Sequence, residues 1–273
     1  MNSQAVHIMV DAHVHIHEHF SLNRLFLIAL QNFRKALNQF QIYQPFESFL
    51  LLTESSGVLE FEKLAGLTDT VVPENDFTVS ATNEPHTLQI DSRGGQRLFA
   101  VNGKQIVTSE NLEVLALGYH QDYPDGRPIS YVLEDLRGMG CLTVLPWGAG
   151  KWLGRRGKTV HAVISSQNDG TIFLGDNGNR PSFWALPSQF ERARAQNIHN
   201  LPGSDPLPFA EQEKKAGSSG FLLRGQISSH TPFASLTSNI MASPQSVTVF
   251  GTPESLTPFV KNQVAMQRAK RFR

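Results

Sequence analysis

The chain has 273 residues, enough for one barrel or two smaller domains, and its 40% hydrophobic and 18% charged content is ordinary for a globular protein. Its 24 basic and 24 acidic side chains cancel, which argues against non-specific nucleic-acid binding, a task that needs a strongly basic face. Cys141 is the single cysteine, so an intrachain disulfide and a cysteine zinc cluster are excluded; with no apolar run near the roughly 18 residues of a membrane span and no signal-peptide pattern, a cytoplasmic protein without a membrane partner is expected.

Residues 6–16 read as a short buried strand, with Val6, Ile8, Val10, Val14 and Ile16 apolar. Five of the ten histidines lie within the first nineteen residues, four of them clustered at 13–19. Alternate residues of a strand share a face, so Asp11, His13, His15 and His17 are expected on one side. Two imidazoles two positions apart reach one cation, and neutral imidazole nitrogen suits zinc, iron, manganese or nickel.

Residues 21–40 carry Leu22, Leu25, Phe26, Ala29, Phe33, Leu37 and Phe40 at helical spacing, with Ser21 as N-cap. Residues 49–53 form a second buried strand ending in Glu54, and residues 57–68 hold a short helix. The polar, turn-broken stretch 76–108 reads as a β-rich insertion. Strands are expected at 113–119, 141–145, 171–175, 198–202 and 246–250, with 220–223 extended. Helices are expected at 129–139, 158–166, 187–197, 209–216 and 254–272. Seven strands alternating with helices describe a distorted (β/α) barrel spanning 1–273, with 76–108 inserted in it.

In such barrels chemistry sits at the C-terminal ends of the strands. There stand His13 and His15, Glu54, His120, Trp147, Asp176 and Asp205 in turn. A glycine-rich basic stretch, residues 148–158, follows the fourth strand. Its glycines let backbone N–H groups approach an anion, while Lys151 and Arg155 supply charge; a solvated basic loop fits the same residues. Arg180, after the fifth strand, adds a cation.

Asp11-Ala12-His13-Val14-His15 resembles the first-strand D-x-H-x-H motif of PHP-type phosphoesterases and their amidohydrolase relatives, and Gly203-Ser204-Asp205 resembles their late Gly-Ser-Asp, whose Asp binds metal. The resemblance implies a distorted seven-stranded TIM-like barrel and metal-dependent hydrolysis. The chain departs from the family at Glu54, His120, Trp147, Asp176 and Leu207, where other metal-binding residues are usual. It therefore implies one divalent ion (Zn, Mn or Fe), at most two, in place of a trinuclear site.

The expectation is a hydrolase acting on a phosphoester, amide or lactone of a small anionic substrate. His13, His15 and Asp205 would hold the metal; Glu54, His120 or Asp176 would complete the shell or act as general base; Lys151, Arg155, Arg180 and Trp147 would hold the substrate. The alternative is a degenerate barrel that binds a ligand without turnover.

Overall fold

β1 (Val6–Val14) is buried along nearly its whole length, and the rest of the fold is laid around it. The computed structural model describes residues 5–69, 76–166 and 170–271. β1 lies inside a seven-stranded mixed sheet with the order β11 (Thr248–Phe250), β10 (Gly220–Gly225), β1, β2 (Phe46–Leu52), β5 (Arg97–Val101), β4 (Thr87–Ser92) and β3 (Phe77–Ala81). The β1–β2 and β2–β5 pairs are parallel and the others antiparallel. A second sheet runs β6 (Gly103–Val107), β7 (Glu113–Leu117), β8 (Leu142–Pro146), β9 (Ile172–Gly175), with only β8–β9 parallel.

The two sheets face each other across a dry core in which Ile8, Val10, Phe49 and Leu51 meet Leu115, Leu117, Val144 and Phe173. α1 (Leu22–Gln39) covers the outer face of the first sheet. Its stripe of Leu25, Phe26, Ala29, Phe33 and Leu37 is buried as the 3.6-residue period requires, and Ser21 Oγ accepts from Arg24 N at 3.4 Å as N-cap. Truncating Phe33 to alanine there costs about 3–5 kcal/mol by the usual core-cavity scale. α3 (Ile129–Arg137), α4 (Gly154–Ser166) and α5 (Ser188–Ala195) cover the outer face of the second sheet. α2 (Glu60–Ala65) is a short connector. α6 (Pro232–Ala242) sends Phe233, Leu236 and Ile240 into the inter-sheet core, and Glu84 accepts the Phe233 and Ala234 N–H groups at its N-terminus, each at 2.8 Å. α7 (Leu256–Arg271) follows β11.

The expected barrel is therefore wrong. The chain builds two facing sheets with helices on both outer faces, and the strands do not close into one ring. The cause is strand polarity: β7 is antiparallel to both its neighbours and β10 to both of its own. Buried apolar runs look alike in either polarity. Residues 76–108 do not stand apart from the framework. β5 pairs with the central β2, and β6 forms an edge of the second sheet. The exposed Thr78 between buried Phe77 and Val79 marks the half-solvated strand of an antiparallel sheet. Residues 198–202 contribute only a bridge at Asn200, and 209–216 contain one 3-10 turn at Gln212–Lys215. Phe272, at the end of the expected last helix, lies outside the described residues.

At one rim the sheets are stapled by main chain. Glu54 bridges to Lys104, and residues 200–205 run between the ends of β9 and β1. Leu201 N donates to Leu174 O (2.8 Å) and Gly203 N to Asp176 O (3.1 Å); on the other side Ala12 N donates to Pro202 O (3.2 Å) and Asp205 N to His13 O (2.8 Å). Gly203 is required at this crossing, because a Cβ would lie 2.2 Å from His13 N.

Candidate metal centre

The last residues of β1 are irregular. Asp11 pairs with Leu50 and Val14 with Leu52, so β1 spends one residue more than β2 over this interval, the count of a β-bulge. The bulge changes side-chain parity. Met9 and Val14 both pack in the α1 cluster, although strict alternation would separate them. Asp11 and His13 consequently part company, against the expectation of a shared face.

Asp11 is fully buried and accepts from Ser204 N (2.8 Å), Ser204 Oγ (2.5 Å), Gly217 N (2.8 Å) and His13 N (3.3 Å). Burial drives its carboxyl up to about 7, against the pull of those donors. It is a brace that fixes the backbone under both His13 and Asp205.

Beyond the bulge, His13 and His15 turn to the rim and meet Asp205. Their Nε2 atoms are 3.1 Å apart, and Asp205 Oδ1 lies 3.6 Å from His13 Nε2 and 3.7 Å from His15 Nε2. One ligand atom from each residue falls within 4.8 Å of the others, so the group can hold a metal ion. The separations suit that role: zinc–nitrogen bonds of about 2.0–2.1 Å put tetrahedral donors roughly 3.4 Å apart. Two imidazoles and a carboxylate are also a borderline donor set accepted by zinc, iron and manganese. Burial, with the His13 imidazole second, pushes His15 down to about 3, which keeps it in the neutral form a metal requires. Burial alone would raise Asp205, but His13, His15 and Lys151 outweigh it and hold the carboxyl below its usual range. Asn177 Nδ2 donates to Asp205 Oδ2 (3.0 Å) and to Trp147 O (2.9 Å), and Asn179 Nδ2 to Asp205 O (2.6 Å), so the carboxylate is oriented from behind.

The group opens into a cavity of about 530 Å³. Trp147 and Lys151 are among its lining residues, and His17 joins them with its Nε2 3.1 Å from Pro206 O. Lys151 is ion-paired with Glu113, a cavity residue the sequence reading did not single out. Gln105, Asn177 and Asn179 also line the cavity and were also missed. They occupy strand interiors or a turn, where an amide carries no chemical signature. A carboxylate opening the apolar run 113–117 was the readable sign for Glu113.

The other expected site residues are spent elsewhere. Glu54 is buried, accepting from Phe61 N (2.6 Å) and Lys104 Nζ (2.9 Å), and so joins α2 to β6. Asp176 pairs with Arg180 Nε through both oxygens at 3.0 Å, and Arg180 also donates to Trp184 O (2.8 Å). Burial raises the Asp176 carboxyl and Arg180 offsets part of the rise. His120 is exposed, its ring 6.2 Å from that of His86. Arg155 is exposed in the first turn of α4, outside the cavity lining.

No helix among the described residues is long and apolar enough to cross a membrane. No protein-family model matches the sequence, and no curated protein matches it. Among solved structures the chain is similar to PsfC from Pseudomonas syringae PB-5123, with 13% identity, a TM-score of 0.48, and coverage of 97% of this chain and 98% of that one. A likeness that distant carries no functional conclusion, so the chemistry of the rim has to stand on its own residues.

Proposed function

We propose that the protein is a metal-dependent hydrolase of a small substrate bearing one anionic group, most simply a phosphoester, with an amide or lactone as the other substrate classes. The observation that carries the reading is the convergence of His13, His15 and Asp205 on one point, with His15 and Asp205 lining the cavity. In this reading the D-x-H-x-H likeness to PHP-type enzymes is one of ligand pattern, set on two facing sheets.

A single divalent ion, Zn, Mn or Fe, is the cofactor. When bound it lowers the pKa of a water molecule and polarises the scissile bond. The chain's own groups do the rest. Asp205 keeps one oxygen toward the imidazoles while Asn177 holds the other. Glu113 holds Lys151 and Gln105 at the cavity wall, while Glu54 and Asp176 are engaged away from it. Lys151 meets the anionic group of the substrate; Arg155 and Arg180 lie outside the lining, which favours a single charge over a polyphosphate. Trp147 offers an apolar wall, and the cavity volume lies in the range of small-molecule sites, about 300–1,000 Å³.

The test is elemental analysis of the purified protein, followed by assays with p-nitrophenyl phosphate and carboxylic esters. Near-stoichiometric metal that disappears in His13→Ala, together with metal-dependent turnover, is expected. A wild-type protein that neither carries nor takes up Zn, Mn or Fe overturns the proposal. Metal binding without turnover on any of these substrates would favour a binding protein.

A further inference from the structure

One side chain stands between the imidazoles and Lys151 and belongs to neither group. Gln105, half-buried on β6, has Oε1 3.2 Å from His13 Nε2 and Nε2 3.4 Å from Glu113 Oε1. Glu113 in turn receives the Lys151 ammonium. The chain of partners fixes which way the amide points. A carboxylate held by an ammonium can only accept, so the amide NH2 faces Glu113 and the carbonyl oxygen faces the histidines. Reversing the amide would set its oxygen against a carboxylate oxygen.

Gln105 Oε1 then lies beside the group, 3.2 Å from His13 Nε2, which is itself 3.1 Å from His15 Nε2 and 3.6 Å from Asp205 Oδ1; with the imidazole protons on Nδ1, all four atoms offer a lone pair. The His13–Gln105 separation falls in the same range as the other ligand spacings. We infer that Gln105 Oε1 is a fourth protein donor to the metal, with Glu113 as the positioning residue that aims it. The inference rests on the metal-centre reading above and narrows it. A two-nitrogen, two-oxygen set that must still admit water needs five or six coordination, which suits manganese or iron better than tetrahedral zinc.

Cobalt(II) titration followed by visible absorption tests this, because band intensity and shape report coordination number and donor type. Gln105→Met is expected to weaken Co(II) binding about 10- to 100-fold and to alter the spectrum. Gln105→Glu combined with Glu113→Gln, which keeps an oxygen toward the histidines and restores a donor opposite it, is expected to retain wild-type affinity with a shifted spectrum. Glu113→Gln, which frees the amide to turn, should lose about tenfold or less. If Gln105→Met fails to fold by circular dichroism, the Gln105→Glu, Glu113→Gln double variant decides. Wild-type affinity and an unchanged spectrum in the folded variant overturn the inference while His13→Ala still abolishes binding. No Co(II) binding by the wild-type protein overturns the metal centre itself.

Discussion

The two walls of the cavity are organised in opposite ways. The wall ending β1 presents the short side chain of His15, with His13 buried beside it, on backbone that is hydrogen-bonded on both sides, and it faces Asp205 on a segment tied to that same backbone. The opposite wall, following β8 and β9, was expected to present Lys151, Arg155 and Arg180, all long and flexible. Only Lys151 reaches the cavity, and it is held there by Glu113. Arg180 folds back four residues to Asp176, and Arg155 points to solvent. A short side chain goes where its Cα is put, so fixing the backbone fixes the chemistry. A long cation goes to the nearest carboxylate, and its place in the sequence says little about where its charge ends up.

If the first wall depends on backbone fit, backbone changes should damage it most. Gly203→Ala drives a methyl group into the His13 main chain and is expected to cost about 3 kcal/mol or more and to abolish metal uptake, read by denaturant unfolding and zinc titration. Asp11→Ala removes the acceptor for four buried donors; about 2–3 kcal/mol of stability should go, with weaker metal binding although no ligand is touched. Wild-type metal affinity in that variant would break the brace assigned to Asp11.

Acid sharpens the same contrast. The His15 imidazole is held at about 3 in the fold against about 6.5 in an unfolded chain, so between those values the unfolded state carries the extra proton. Stability of the metal-free protein is therefore full above pH 6.5 and declines as pH falls toward 3, by up to about 1.4 kcal/mol per pH unit from this one group. Because the fold keeps His15 neutral down to about pH 3, its proton should not compete with metal above that value, and His15→Gln should flatten the stability profile.

The opposite wall should respond weakly. Arg180→Met strands the half-buried Asp176 and is expected to cost about 1–2 kcal/mol while metal affinity and KM hold steady. Arg155→Ala should change stability by less than about 0.5 kcal/mol and leave KM unchanged. A rise in KM for either variant would return that arginine to the substrate site.

What could be read from the chain alone follows the same division. His13, His15 and Asp205 were legible because each lies in a short motif whose backbone bonds do the placing. α1 was legible because six apolar residues from Leu22 to Leu37 repeat at its period; Phe40, the seventh, stands past its end and is exposed. Sheet membership was not, because pairing partners are distant: nothing local in 113–117 tells an antiparallel strand from a parallel one. The parity argument for Asp11 failed through a single extra residue in β1, which no composition reveals. Glu54 and Asp176 misled because a carboxylate at a strand end is equally useful to a nearby N–H or arginine. The spacing of Asp176 to Arg180 was the available warning.

The bond from Ser204 to Asp11 joins residues 193 positions apart. The junction therefore forms only when the two ends of the fold have met, and closing so long a loop forfeits chain entropy. A cation captured there would bind the completed fold and not its partial forms, raising stability in proportion to the logarithm of its concentration. Amide exchange at Ser204 and Gly217 would then slow on metal loading to the rate of global opening, making those two protons a gauge of whether the whole chain has closed.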